Sequence, residues 1–187
     1  MNRFRVVPTT VSGVVLLSPM RHEDERGWFL RHFCLSELES IGLGHVKQAN
    51  LVATSNENTF RGFHFQVFPS AESKIFSCLV GRVTFVAVDM RALSRTFLGV
   101  AMVELWEVSQ HLLVVPPGVA VGYLSQTSSV LVHYYSTADY NPEAERGFRW
   151  NDPLLGESLP FSNPVLSKRD SSWADLSSEE ISNFRFD

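Results

Sequence analysis

Histidine is the side chain best suited to move a proton near neutral pH, and this chain has six: His22, His32, His45, His64, His111 and His133. No two of them stand at metal-ligand spacing. A site for a borderline metal needs several imidazole and carboxylate donors together. The run His64-Phe65-Gln66 offers one imidazole, and the turn Pro116-Pro117-Gly118-Val119-Ala120-Val121 offers none. The pattern argues against a bound catalytic metal. Cys34 and Cys78 make neither a disulfide framework nor a cysteine zinc site, and they read as reduced thiols of a cytoplasmic protein.

His64 has the most informative neighbours. In strand periodicity Gly62, His64 and Gln66 share one face, while Phe63 and Phe65 share the other. If the polar face lines a barrel interior, His64 and Gln66 sit in a pocket of the kind that binds ligands. Otherwise His64 is a hydrogen-bonded structural histidine. Lys74, two residues after Glu72, either snorkels at a barrel rim or aims a cation at a developing oxyanion. Tyr134, Tyr135 and Tyr140 are candidates for either core or proton donation. Arg26 and Arg61, each followed by glycine, suit bidentate phosphate contacts or a plain solvated surface.

The elements that must position these groups are strands. Lys74–Val80 stops at Gly81, Arg82–Asp89 follows at once, and 100–108, Leu112–Val115, 119–124 and 130–135 come after. These runs are rich in β-branched and aromatic residues and are punctuated by Gly, Pro, Ser and Asn. Val83, Phe85, Ala87 and Asp89 alternate with Arg82, Thr84, Val86 and Val88. Many short strands at this spacing predict an all-β jelly roll with short peripheral helices. Ser36-Glu37-Leu38-Glu39 fits a capping box, with Gly42 or Gly44 to end the helix, and Ser177-Ser178-Glu179-Glu180 could open another. The Pro- and Ser-rich segment 151–172 is expected to wrap over the barrel. The chain reads as one domain, 1–187, with a strand-rich core over about 14–150 and a C-terminal wrap over 151–187, because nothing outside the strands could bury its own core.

Composition agrees with that class. At 187 residues, 44% hydrophobic and 19% charged, the chain is too apolar for disorder. It has no run of about 18 apolar residues to cross a membrane, and MNRFRVVPTTVSG lacks the apolar stretch of a secretory signal. A formal net charge of -4 argues against a nucleic-acid partner.

The pieces also fall in a telling order. They run Asp24-Glu25-Arg26-Gly27 with Phe29 and Phe33, Gln48 with Asn50, Arg61-Gly62-Phe63-His64-Phe65-Gln66, Lys74, and Gly81-Arg82-Val83 through Met90-Arg91. Ser94, Thr96, Phe97 and Gly99 follow, then Pro116 with Gly118, Tyr134, Tyr140-Asn141-Pro142, Arg146-Gly147-Phe148-Arg149-Trp150-Asn151-Asp152-Pro153, and Leu166-Ser167-Lys168-Arg169-Asp170. Over about residues 19–176 this series resembles the dTDP-4-dehydrorhamnose 3,5-epimerase family, metal-free cupin enzymes of nucleotide-sugar biosynthesis. The resemblance implies a cupin-type jelly-roll homodimer without a cofactor, inverting C3, C5 or both of a nucleoside-diphosphate 4-keto-6-deoxyhexose. It implies His64 as base, oriented by Asp170, with Lys74 near the C4 oxygen and Tyr134 as the acid on the opposite face. Tyr140 matches a second pocket tyrosine. Arg26 and Arg61 match residues that hold the diphosphate or sugar, and Gln48 and Asn50 match the nucleotide-facing side. A strand over 28–33, exchanged between subunits, would set Trp28 against the partner's nucleotide base.

Four positions depart from the family pattern. Val121 stands where the family has a histidine, in Ala120-Val121-Gly122, and Arg31 stands in place of a glutamate. Val52 replaces a serine, and Ser73 precedes Lys74 where the family favours glycine. These changes leave the nucleotide (dTDP, CDP or GDP) and the number of centres inverted open. A related cupin keto-sugar isomerase and a non-catalytic sugar-nucleotide-binding jelly roll are the alternatives. The first would want more than one histidine where the chain has Phe65-Gln66.

Overall fold

The alternation within Arg82–Asp89 decides the layering. Val83, Phe85 and Ala87 enter one apolar core and Val86 and Val88 another, so both faces of this strand are covered. The computed structural model describes residues 4–156 and 159–186; the remaining positions of the expected 1–187 unit and of its 151–187 wrap lie outside the described residues. The strands are β1 (Phe4–Pro8), β2 (Val15–Pro19), β3 (Arg21–Asp24), β4 (Gly27–Leu30), β5 (Gln48–Thr54), β6 (Phe60–Gln66), β7 (Lys74–Val80) and β8 (Arg82–Asp89). They continue with β9 (Val100–Trp106), β10 (Leu112–Val115), β11 (Val119–Ser125), β12 (Val130–Ser136) and β13 (Glu145–Gly147). Short helices are α1 (Leu35–Ser40), α2 (Lys168–Ser172) and α3 (Ser178–Asn183).

Two antiparallel sheets face each other. One runs β1-β2-β10-β7-β12-β5 and the other β13-β6-β11-β8-β9, while β3 and β4 form a separate hairpin. The core between the sheets takes Phe76, Cys78 and Val132 from the first and Phe85, Ala87 and Leu105 from the second. The outer face of the five-stranded sheet presents Phe60, Phe63 and Phe65, and the C-terminal segment covers it with Leu155, Ile181, Phe184 and Phe186. Each buried phenyl side chain there stabilises the fold by roughly 1.5–3 kcal/mol. The outer face of the six-stranded sheet packs Leu17, Ile75 and Leu112 against Leu38 and Leu43 of the α1 region. This is the predicted all-β jelly-roll architecture with short peripheral helices, and the C-terminal segment on one sheet and the α1 region on the other account for its doubly buried strands.

Several boundaries differ from expectation. β9 ends at Trp106 rather than at 108, because Ser109 turns back, its N–H donating to Trp106 O at 2.9 Å. β11 and β12 each run one residue further than expected, and the strand expected over 28–33 stops at Leu30. α1 starts at Leu35 with Cys34 as an uncapped N-cap, so Ser36 lies inside the helix and its capping box does not form. Gly42, at φ +83°, ends that helix as expected. At α3 the capping box of Ser177 and Glu180 does form. Among the described residues, no helix is long and apolar enough to cross a membrane.

Candidate active site

A bulge in β6 builds the floor of the site. β11 pairs Val121 with His64 and then Tyr123 with Arg61, so two steps on β11 oppose three on β6. Gly62 makes this possible. Its φ is +136°, and a Cβ there would lie 2.5 Å from Gly122 Cα and 2.9 Å from Val121 O. Regular alternation would put residues 61 and 64 on opposite faces. The bulge turns both Arg61 and His64 into one cavity of about 270 Å³ between the sheets. It sends Phe60 and Phe63 to the other side, with ring centroids 5.2 Å apart.

His64 Nε2 lies 2.7 Å from Asp170 Oδ1. Asp170 is buried in the first turn of α2, where its N–H donates to the Ser167 hydroxyl at 3.0 Å. With the Nε2 proton donated to the carboxylate, Nδ1 is left as the proton acceptor of the ring. Trp173 closes α2 with its ring centroid 6.5 Å from that of His64.

The opposite wall comes from the other sheet. β12 and β7 pair Tyr134 with Phe76 and Ser136 with Lys74, so Lys74, Phe76 and Tyr134 all line the cavity. Lys74 Nζ is 2.9 Å from Glu72 Oε1, and the Ser136 hydroxyl donates to the other oxygen of Glu72. Burial, then the negative charges of Glu72 and Glu145, push the Tyr134 phenol above its ordinary value. The phenol therefore stays neutral and able to donate a proton. Acceptor and donor thus stand on facing sheets, an arrangement suited to removing a proton from one side of a carbon and returning one to the other.

Five of the ten residues expected at the site line this cavity: Arg61, His64, Lys74, Tyr134 and Asp170. Asn50 pairs with Tyr134 on the same inward face, and its buried Nδ2 has no hydrogen-bond partner among the described residues. Gln48, on that face, donates to Ala138 O at 2.9 Å. Tyr140 is exposed and gives its hydroxyl to Glu145, which also holds Arg169. Arg26 and Trp28 stand on the β3–β4 hairpin outside the cavity lining. Arg26 is exposed and bonded to Asp24, and the exposed Trp28 ring lies under Arg21. Gln66 does not join His64 in the pocket. It is buried and holds the loops at Ser70, Asp139 and Asn141.

Sequence reasoning gave no role to Glu72, Tyr123, Ser167 or Arg169. Glu72 sits two residues from Lys74, and Ser167 and Arg169 precede Asp170 by three residues and by one, so proximity in sequence is the available signal. Tyr123 hydrogen-bonds Thr54 at 2.9 Å, and Thr54 in turn accepts from Arg61 Nε at 3.0 Å. Val121, singled out as a departure, lines the cavity beside His64. Among the described residues, no three His, Cys, Asp or Glu side chains converge as a metal site would require.

A family model described as dTDP-4-dehydrorhamnose 3,5-epimerase matches residues 8–178. A dTDP-4-dehydrorhamnose 3,5-epimerase of Salmonella typhimurium is 34% identical over 88% of this chain and 91% of its own length. A dTDP-4-dehydrorhamnose 3-epimerase of Streptomyces niveus is 32% identical over 89% and 81%. Among solved structures, a dTDP-4-dehydrorhamnose 3,5-epimerase of Bacillus anthracis with TDP and PPi bound aligns with a TM-score of 0.87 at 30% identity. It covers 92% of this chain and 99% of that one.

Proposed function

The chain belongs to the dTDP-4-dehydrorhamnose 3,5-epimerase family, and we propose that it epimerises a dTDP-linked 4-keto-6-deoxyhexose with His64 as base, Lys74 as enolate stabiliser and Tyr134 as acid. The C4 ketone acidifies the hydrogens on C3 and C5. His64 takes one of them as a proton, and the C–H electron pair becomes a C=C bond. The carbonyl π pair moves onto O4 as an enolate. The Lys74 ammonium donates to that oxygen. Tyr134 then protonates the carbon from the far side, the enolate collapses to the ketone, and the configuration is inverted. Solvent reprotonates the phenolate and takes the proton from His64. Asp170 holds the ring orientation and stabilises the imidazolium as it forms.

The observation that carries this reading is the placement of His64 and Tyr134 on the two facing sheets of one cavity, with His64 bonded to a buried carboxylate at 2.7 Å. Arg61 suits the diphosphate. Trp28 and Phe29 are exposed on a hairpin that belongs to neither large sheet, and this supports a homodimer in which Trp28 reaches a partner's nucleotide; Arg26 is assigned to the diphosphate or sugar, and Gln48 and Asn50 to the nucleotide-facing side. The chain's relatives include a 3-epimerase, and Val121 puts an apolar wall beside His64. Both features favour inversion at one centre as the second reading.

The test is incubation with dTDP-4-keto-6-deoxyglucose in D2O, following the C3 and C5 protons by NMR. Exchange at both carbons supports double epimerisation, and exchange at C3 alone supports the second reading. No exchange, with the CDP- and GDP-linked sugars equally inert, overturns the proposal.

A further inference from the structure

Lys74 does not face the cavity as a free cation. Its ammonium is 2.9 Å from Glu72 Oε1, and both side chains are largely buried, 17% exposed for Lys74 and 7% for Glu72. The second oxygen of Glu72 accepts from Ser136, the residue that β12 sets directly opposite Lys74 in the ladder. The carboxylate is therefore held at both oxygens, one by the side chain it positions and one by the neighbouring strand.

From this geometry we propose that Glu72 is a positioning residue for the reaction: it clamps the Lys74 ammonium so that a held N–H meets the C4 oxygen as it becomes an enolate. The inference rests on the assignment of Lys74 to that oxygen. A lysine stem has four rotatable bonds and a strongly hydrated head. Left free, it would have to be ordered and desolvated while charge develops on the substrate. Tied to a fixed buried carboxylate, it is oriented before the reaction begins, which is the condition under which a donor stabilises a transition state most. Glu72 also supplies the counter-charge in a wall whose cavity neighbours include Arg61 and Arg169. The same charge opposes ionisation of Tyr134, second only to burial.

A double-mutant cycle tests this. Glu72→Gln keeps the shape and an acceptor for Ser136 but removes the charge that grips Lys74. In the full chain with dTDP-4-keto-6-deoxyglucose, it lowers kcat by about tenfold or more and leaves KM within about twofold, because the lost alignment acts in the transition state. In a Lys74→Ala background the same substitution costs nothing further, since Glu72 has no ammonium left to hold. Equal losses in both backgrounds overturn the inference, because Glu72 would then act independently of Lys74. A slow Lys74→Ala with a wild-type Glu72→Gln overturns the inference and leaves the lysine assignment standing. Wild-type rates for both variants overturn both. Thermal melting reports folding. If Glu72→Gln does not fold, Ser136→Ala, which frees one carboxylate oxygen and keeps the charge, replaces it in the cycle with a smaller kcat loss that again vanishes without Lys74.

Discussion

Replacing Asp170 with asparagine changes the proposed base without emptying its surroundings. Asp170→Asn preserves the volume, and the backbone N–H at this position still donates to Ser167, so α2 keeps its cap. What is lost is a charge-assisted bond of 2.7 Å to His64 from a carboxylate only 5% exposed. Bonds of that kind contribute about 1.5–3 kcal/mol. At about 1.36 kcal/mol per decade of rate, the expected fall in kcat is roughly 10- to 150-fold. A second effect adds to it. An asparagine amide that donates to Nε2 forces the ring proton onto Nδ1, the atom meant to accept the substrate proton. Tautomer errors of this type cost up to about 10⁴-fold in hydrolases with the same His–carboxylate logic. The assay is the rate of solvent deuterium incorporation at C3 and C5, with thermal melting to verify the fold. A folded Asp170→Asn enzyme exchanging within about twofold of the wild-type rate would refute the argument that the carboxylate sets the base.

Further outcomes concern Tyr134, Gly147 and Asp89. Tyr134→Phe retains proton removal better than inversion, seen as exchange outpacing product formation; equal losses would remove Tyr134 as the acid. Because burial and Glu72 raise its pKa, the neutral phenol persists until pH rises past the ordinary tyrosine value of 10.0, so a Tyr134-dependent alkaline decline in kcat centred below about pH 9 would contradict the role. Gly147→Ala places a Cβ 2.4 Å from Trp173 Cε2 and 2.6 Å from Phe63 O. Overpacking of this sort costs about 1–3 kcal/mol, and it displaces the residue that follows α2 and stands by His64, so both melting temperature and exchange rate should fall; unchanged values in both would refute the contact. Asp89 is fully buried. Burial opposes its charge, but Arg91, Ser94 and Thr96 outweigh that cost and lower its pKa below 3.8. The stability it contributes is therefore present above about pH 3.8 and is lost as pH falls through the lower folded value. Asp89→Asn should cost about 3 kcal/mol at neutral pH and flatten that acid loss in denaturant titrations, whereas an unchanged acid limb would show that Asp89 does not cause it.

Much of the fold could be read from local patterns. β7, β8 and β10 have the boundaries their composition and punctuation suggest, because short β-branched runs between glycines and prolines have few other options. The capping box at Ser177 obeyed its local signal. The one at Ser36 did not, since the chain enters α1 from an extended Cys34 and places Ser36 past the cap. Five of the ten residues expected at the site meet in one cavity, but their arrangement is not legible in the sequence. Period-two reasoning sets His64 and Gln66 opposite Phe63 and Phe65, as the regular pairing of 64–66 has them, but it cannot bring Arg61 to the side of His64, because the bulge at Gly62 depends on how closely a distant strand approaches. The 106-residue separation of His64 and Asp170 closes through the C-terminal segment, a contact that family order suggested and local pattern could not. The pairing of Glu72 with Lys74 is not legible in the sequence although only one residue intervenes, because whether a lysine's nearest carboxylate is buried beside it is decided by the neighbouring strand that carries Ser136.

The most direct test of the central claim removes the base alone. His64→Ala and wild type, both shown to be folded by thermal melting, are incubated with dTDP-4-keto-6-deoxyglucose in D2O and compared by NMR. If His64 is the base, deuterium enters the sugar ring with the wild-type enzyme and is abolished at both carbons in the variant. Incorporation by His64→Ala at the wild-type rate would mean that another group takes the proton, and the assignment of this cavity's chemistry would be wrong.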